Sequence, residues 1–141
     1  MGRCGVVRIR IWRVEGGAIS GFALVGHAGA GSQGQDVVCA GVSALAHTAV
    51  LGLERRLGLQ PEVDAGDGRL VCRLPQVMVP EQAVRAQDVL ETMCLGLSAI
   101  VACYPRQVRL RDVPLVAGAA TRRVAPVGHA PSDACGGDRR V

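Results

Sequence analysis

The chain has 141 residues, a length that is typical of one domain and sufficient to bury a core without disulfides or metal. Hydrophobic residues make up 49% of it, yet Trp, Tyr and Phe occur once each, so we expect an aliphatic core. The net charge of +4 is modest, and arginines that alternate with apolar residues indicate a solvated strand face. These features argue against a clustered basic surface, and we expect no direct nucleic-acid partner.

The cysteines and the apolar runs bear on the cellular compartment. Six cysteines occur without C-x-x-C or zinc-finger spacing, which predicts no metal site. The first residues lack the apolar core of a signal peptide, and no run is judged long enough to span a membrane. The sequence therefore predicts a cytoplasmic protein with reduced thiols and no membrane partner.

The first third of the chain predicts a β-hairpin followed by a helix. Residues 6–14 alternate, with Val7, Ile9 and Ile11 on one face and Arg8, Arg10 and Trp12 on the other. A Glu-Gly-Gly turn leads to a returning strand over residues 18–26. After a glycine-rich loop, Asp36 has the character of an N-cap for an apolar helix over residues 37–57. This helix is apolar on several sides, so a second subunit is a candidate to cover one of them.

The remaining elements complete an α+β pattern. A second hairpin is predicted over residues 62–74, an amphipathic helix over 81–103 and a last strand over 108–111. The order β-β-α-β-β-α-β predicts a small mixed sheet of about five strands with two helices. We assign residues 1–111 to the domain. Residues 112–141 are rich in Ala, Gly, Pro and Arg without periodicity, and they are predicted to be a mostly disordered tail.

The loop before the first helix contains a literal G-x-G-x-x-G at Gly29, Gly31 and Gly34. Its place between a strand and a helix is typical of phosphate-binding loops. However, the third glycine precedes the predicted cap, no acidic residue ends a following strand, and the chain has no Lys for a Walker motif. Nucleotide binding is therefore the weakest of the functions considered.

A different site is suggested by His27 and Cys39, which flank the same loop. Cys39 falls in the first turn of the predicted helix, where the helix field favours a thiolate nucleophile. His27, at the end of a strand, is placed to take the thiol proton and to protonate a leaving amine. His47 lies eight residues beyond Cys39, or roughly 12 Å along a helix, which is too far for proton transfer. The spacing alone also fits an ordinary buried cysteine at position 39.

The segment GHAGAGSQGQDVVCAGVSAL resembles the signature of the ribosomal-processing cysteine protease family, Prp. The resemblance is strong from Gly26 to Glu54 and extends more weakly over residues 6–111. The matching positions are Gly26, His27, Ala28, Gly34, Asp36, Val37, Val38, Cys39, Ala40, Gly41, Ser43 and Ala44.

The resemblance implies a cofactor-free cysteine protease with Cys39 as nucleophile and His27 as general base. It also implies a mobile loop that contains Gly29, Gly31 and Gly34. Asp36 and Ser43 match the motif as candidate supporting residues: Asp36 either caps the helix or orients His27, and Ser43 either shapes the pocket or permits close packing. The resemblance further implies a homodimer whose substrate is the precursor of a large-subunit ribosomal protein. The protease would remove the N-terminal extension of that precursor during ribosome maturation.

The alternative to a protease is a non-enzymatic, ribosome-associated or RNA-binding module. Five arginines, at positions 8, 10, 13, 109 and 111, could line a sheet face in such a module. Stacking aromatics are nearly absent, with Trp12 the one candidate, which argues against recognition of single strands.

Overall fold

The computed structural model describes residues 5–26 and 33–114, which form one five-stranded mixed sheet with two helices. The predicted fold class and element order are confirmed. A π-helical turn, Gly52–Arg56, continues directly from the first helix. The elements are β1 (Val7–Arg13), β2 (Ile19–Val25), α1 (Gln33–Leu51), β3 (Glu62–Gly66), β4 (Arg69–Arg73), α2 (Pro80–Cys103) and β5 (Val108–Pro114).

The strands lie in the order β3-β4-β2-β1-β5. Neighbouring strands are antiparallel except for β1 and β5, which are parallel. The alternation predicted for β1 is confirmed, since Val7, Ile9 and Ile11 are buried while Arg8 and Arg10 are exposed. The helices cover the face that carries the buried residues and leave the opposite face of the sheet open.

The core lies between this covered face and the two helices, and it is aliphatic as expected. Its largest fully buried side chains come from every layer of the domain. They are Ile9 and Ile11 of β1, Ile19 and Phe22 of β2, Val42 of α1, Leu53 of the π-helical turn, Cys72 of β4, Leu90 and Leu97 of α2, and Val108 of β5.

Gln87 of α2 and Arg13 of β1 connect α2 to the sheet through hydrogen bonds. The Gln87 amide accepts a 2.7 Å hydrogen bond from the Ile19 N–H and donates a 2.8 Å bond to the Ile19 carbonyl oxygen. Arg13 donates to Glu91 of α2 and to Asp112 of β5, and these bonds raise its pKa. Arg13 therefore belongs to the helix side of the sheet.

Some predicted boundaries are wrong. α1 begins at Gln33, three residues before the predicted cap at Asp36, so Asp36 and Gly34 both lie within the helix. β5 continues to Pro114, past the strand end predicted at residue 111, because β1 offers it a pairing partner as far as Arg13. His27, Gly29, Gly31 and the predicted tail from residue 115 onward lie outside the described residues.

Two helical segments, Val37–Arg56 and Pro80–Cys103, are long and apolar enough to cross a membrane by length and composition. The expectation that no run is long enough was wrong by this measure. The test is weak evidence for a membrane span, because helices of a domain core pass it as well. Here each helix contributes buried side chains to the single core.

Candidate active site

A cleft of about 240 Å³ lies between α1, the end of β2 and the turn that joins β3 to β4. Its walls combine side chains of these elements with glycines that expose their backbone. The residues that line the cleft are Val7, Leu24, Gly26, Cys39, Ser43, His47, Gly66, Gly68, Arg69 and Leu70.

Cys39 is the candidate nucleophile, and it lines the cleft as a free thiol that is only partly buried. Ser43 lies one turn further along α1 and His47 two turns further, so all three share the helix face that borders the cleft. Cys39 is the seventh residue of α1 and not the third, as the predicted cap required. Because the field of a helix terminus acts mainly within the first turn, this position weakens the argument that the helix start activates the thiol.

The end of β2 forms the opposite wall of the cleft. Gly26 adopts φ +136°, and a Cβ atom there would lie 2.7 Å from the carbonyl oxygen of Val6. Its N–H donates a 2.9 Å hydrogen bond to the carbonyl oxygen of Gly68. Both the conformation and the close approach require glycine at this position. The residue that precedes His27 is thus held in the wall of the cleft that contains Cys39.

The turn between β3 and β4 is the part of the cleft that the sequence reasoning missed. Its residues were assigned only to a hairpin turn. The turn reaches the cleft because β4 pairs with β2, which sets Arg69 opposite Val25. Arg69 also forms an ion pair with Asp64 on the neighbouring strand. No local signal in the sequence specifies this pairing between strands.

The cysteines differ in their capacity to react. Burial raises the pKa of the Cys72 thiol to about 11, with a contribution from the charge of Glu54. Burial raises the pKa of the Cys94 thiol to about 12, with a contribution from Glu91. Both thiols are therefore protonated near neutral pH and are poor nucleophiles. Cys103 is disulfide-bonded, so the expectation of reduced thiols is wrong at that position.

A larger cavity, of about 740 Å³, lies at the opposite end of β2 and β4. It is lined by Trp12, Ile19, Leu74, Met78 and Gln87 among others, and the lining residues that the structure describes include no cysteine or histidine. Five residues of strand separate Ile19 from Leu24, or roughly 17 Å, so this cavity is remote from Cys39. Of these two cavities, the smaller cleft is the one whose described lining includes a thiol and an imidazole.

Comparison with known proteins places this chain among the cysteine proteases. The family described as "Cysteine protease Prp" matches residues 6–109. The ribosomal processing cysteine protease Prp of Bacillus subtilis (strain 168) is 32% identical over 107 residues, which cover 74% of this chain and 96% of that relative. The chain therefore belongs to the Prp family of cysteine proteases.

Solved structures agree with this assignment. An essential ribosomal processing protease Prp from S. aureus, in complex with a substrate peptide, is 26% identical with a TM-score of 0.67. The S. aureus protease with a covalently linked product peptide is 27% identical with a TM-score of 0.66. Each comparison covers 77% of this chain and 100% of the other.

Proposed function

We propose that this protease removes the N-terminal extension from the precursor of a large-subunit ribosomal protein. The observation that carries the proposal is the position of Cys39, a partly buried thiol that borders a cleft of about 240 Å³ within the residues that match the protease family. The ribosomal processing described for the B. subtilis and S. aureus relatives supports the choice of substrate class.

In the proposed reaction, His27 takes the proton of the Cys39 thiol, and Sγ attacks the carbonyl carbon of the scissile peptide bond. The tetrahedral intermediate collapses as the C–N bond breaks, and His27 returns the proton to the leaving amine nitrogen. A thioester then joins the extension to Cys39. Water, deprotonated by His27, then attacks the thioester carbonyl. The C–S bond breaks, which regenerates the Cys39 thiolate and releases the extension with a free carboxylate. No metal or organic cofactor takes part.

Asp36 and Ser43 have supporting parts in this proposal. Ser43 borders the cleft one turn beyond Cys39, so its hydroxyl is available to shape the position of the substrate. Asp36 precedes Cys39 by three residues on α1, and we assign it to the orientation of His27. Ser43→Ala and Asp36→Asn are expected to lower the cleavage rate less than Cys39→Ser, because neither residue forms the covalent bond.

We also propose that the protease works as a cytoplasmic homodimer. The helix faces turned away from the sheet expose Val37 (69%) and Leu51 on α1 and Leu95 (73%) on α2. Burying such apolar side chains against a second copy would remove them from water. Sedimentation of the wild type should give a dimer, and Leu51→Glu with Leu95→Glu should give a monomer. A wild type that stays monomeric at high concentration would contradict this part of the proposal.

The substrate is tested by incubating the purified protein with the extended ribosomal protein of the same organism and measuring masses. Wild type and Cys94→Ala, which removes a buried thiol outside the cleft, should both trim the precursor at one bond. Cys39→Ser and His27→Ala should leave it intact. If none of the folded, reduced proteins trims the precursor, the substrate assignment is wrong. Trimming by Cys39→Ser would instead contradict the assigned nucleophile.

A further inference from the structure

The open face of the sheet concentrates positive charge. Parallel pairing sets Arg8 of β1 directly beside Arg109 of β5, and Arg10 directly beside Arg111. Alternate residues of a strand share a face, so these four side chains point away from the helices. All four residues are exposed. We call Arg8, Arg10, Arg109 and Arg111 the arginine cluster.

The four positions are close together. Neighbouring strands lie about 4.8 Å apart, and alternate residues of one strand lie roughly 6.6 Å apart. Within residues 5–26 and 33–114, every ion pair found belongs to Arg13, Arg69 or Arg85, and none belongs to the cluster. Like charges directly opposite one another destabilise a sheet. The folded domain therefore carries two Arg–Arg pairs that no described carboxylate compensates.

This arrangement favours a ligand with several regularly spaced negative charges. A guanidinium presents its donors as a planar fork that matches phosphate oxygens, and it stays charged at any physiological pH. We propose that the arginine cluster binds the phosphate backbone of structured RNA. The register of β1 and β5 sets four of the five arginines named for the RNA-binding alternative side by side on one face. The proposal thus replaces the expectation of no nucleic-acid partner.

The neighbouring residues favour structured RNA over single strands. Trp12 lies on the same face, but the guanidinium of Arg73 stands 4.9 Å from its ring centroid. The ring also packs against Gly21 of β2. An indole held in this way is not free to stack on bases, and single-strand binders depend on such stacking. Phosphate contacts along a duplex require no aromatic side chain.

The residues around the arginine cluster also argue against a membrane surface as its ligand. The exposed aliphatic side chain nearest the cluster, Val25, stands between Arg8 and Arg69 in the sheet register. The face offers little apolar area to insert into a bilayer.

The choice of RNA over DNA rests on the proposed function, since a protease that processes ribosomal proteins meets its substrate near ribosomal RNA. The cleft opens on the helix side, so bound RNA would leave Cys39 accessible.

The test measures the binding of a fluorescently labelled RNA duplex of about 20 base pairs to the Cys39→Ser protein by anisotropy at increasing salt. Four phosphate contacts predict an affinity loss on the order of 100-fold between 50 and 200 mM salt. The cluster variant is Arg8→Gln/Arg10→Gln/Arg109→Gln/Arg111→Gln. It should bind at least tenfold more weakly, and the slope of log affinity against log salt concentration should fall in magnitude by roughly 3. The matched control, Arg55→Gln/Arg56→Gln/Arg85→Gln/Arg106→Gln, removes the same charge elsewhere and should retain most of the slope.

Stability supplies an independent readout. Removing the Arg–Arg repulsion should leave the melting temperature of the cluster variant equal to or above that of the wild type. If that variant fails to fold, Arg109→Gln/Arg111→Gln on the edge strand should reduce the slope by about 1.5. The proposal is overturned if the wild type does not bind the duplex at 50 mM salt or if both quadruple variants weaken binding equally. Binding to anionic phosphatidylglycerol vesicles without RNA binding overturns it too.

The failure of this proposal is distinguishable from that of the proposed function. Duplex binding uses a protein without its nucleophile and requires no precursor. Cleavage of the free precursor, measured without RNA, should be the same for the cluster variant with Cys39 restored as for the wild type. A missing cleavage activity therefore leaves the RNA result unaffected.

Discussion

The N–H of Gly26 donates a 2.9 Å hydrogen bond to the carbonyl oxygen of Gly68. This bond joins the end of β2 to the turn between β3 and β4, and both residues line the cleft beside Cys39. The two walls are thereby fixed relative to each other just before the chain reaches His27. If His27 is the general base, as proposed, the position of Gly26 should influence how it approaches Cys39.

Gly26→Ala should therefore lower the rate of precursor cleavage at least tenfold, since small displacements of catalytic groups are costly. The added Cβ would meet the Val6 carbonyl oxygen in a backbone conformation that side chains rarely adopt. Gly58→Ala is the control, because Gly58 also has a positive φ but nothing within 4 Å of a Cβ. It should cost about 1–2 kcal/mol of stability and leave cleavage unchanged. Full cleavage by Gly26→Ala would show that this wall does not position the base.

The thiols should differ in their reaction with iodoacetamide at pH 8. Cys72 and Cys94 have pKa values of about 11 and 12, above pH 8, so they stay protonated and react slowly. Cys39 borders the cleft and should be alkylated before Cys72 and Cys94, with cleavage activity lost in parallel. Peptide mapping by mass spectrometry measures the order. In guanidinium chloride the difference should disappear, and equal labelling in the native protein would contradict the burial argument.

Gly21→Ala should destabilise the domain by about 1–3 kcal/mol through overpacking. A Cβ at Gly21 would lie 2.5 Å from the carbonyl oxygen of Cys72 and 3.0 Å from the Trp12 ring. The first contact is with backbone, which cannot rotate away. Gly66→Ala on the edge strand meets nothing within 4 Å and serves as the control. Urea unfolding gives both free energies, and equal values for the two variants would refute the packing account.

Gln87→Ala should cost about 1–3 kcal/mol, because it leaves both backbone groups of the buried Ile19 without their side-chain partner. Gln82→Ala removes a single 3.1 Å bond to the Leu57 carbonyl oxygen and should cost less. The comparison is made by urea unfolding of each variant. A cost for Gln87→Ala no greater than that for Gln82→Ala would mean that water replaces the lost amide.

The sequence predicted the elements well where the pattern is local. The alternation of Val7, Ile9 and Ile11 and the periodicity of α2 identified the buried faces, since each depends on one strand or one helix. The helix was predicted to start at residue 37, four residues after Gln33, because Asp36 was taken as a cap when it lies inside the helix. Helix ends depend on a few weak local interactions, which makes them harder to predict.

Properties that depend on contacts between distant segments could not be predicted from the sequence. The motif identified Cys39 and Ser43, which the fold brings to one cleft. It gave no indication of Gly68 or Arg69, which reach the cleft through the β4–β2 pairing. In the same way, Arg8 and Arg109 were each recognised as strand residues, but only the β1–β5 register makes them neighbours. Arg13, grouped with them by spacing, turns instead toward Glu91 and Asp112.

The pairing of β1 with β5 also governs when the domain can fold. Val7 pairs with Val108, about a hundred residues later, so this contact closes a very long loop. During synthesis, the outer edge of β1 stays unpaired until β5 has left the ribosome, and only then can Val108 be buried. The protease should therefore mature late and as a unit, and a chain truncated before Val108 should expose an unpaired strand edge and aggregate.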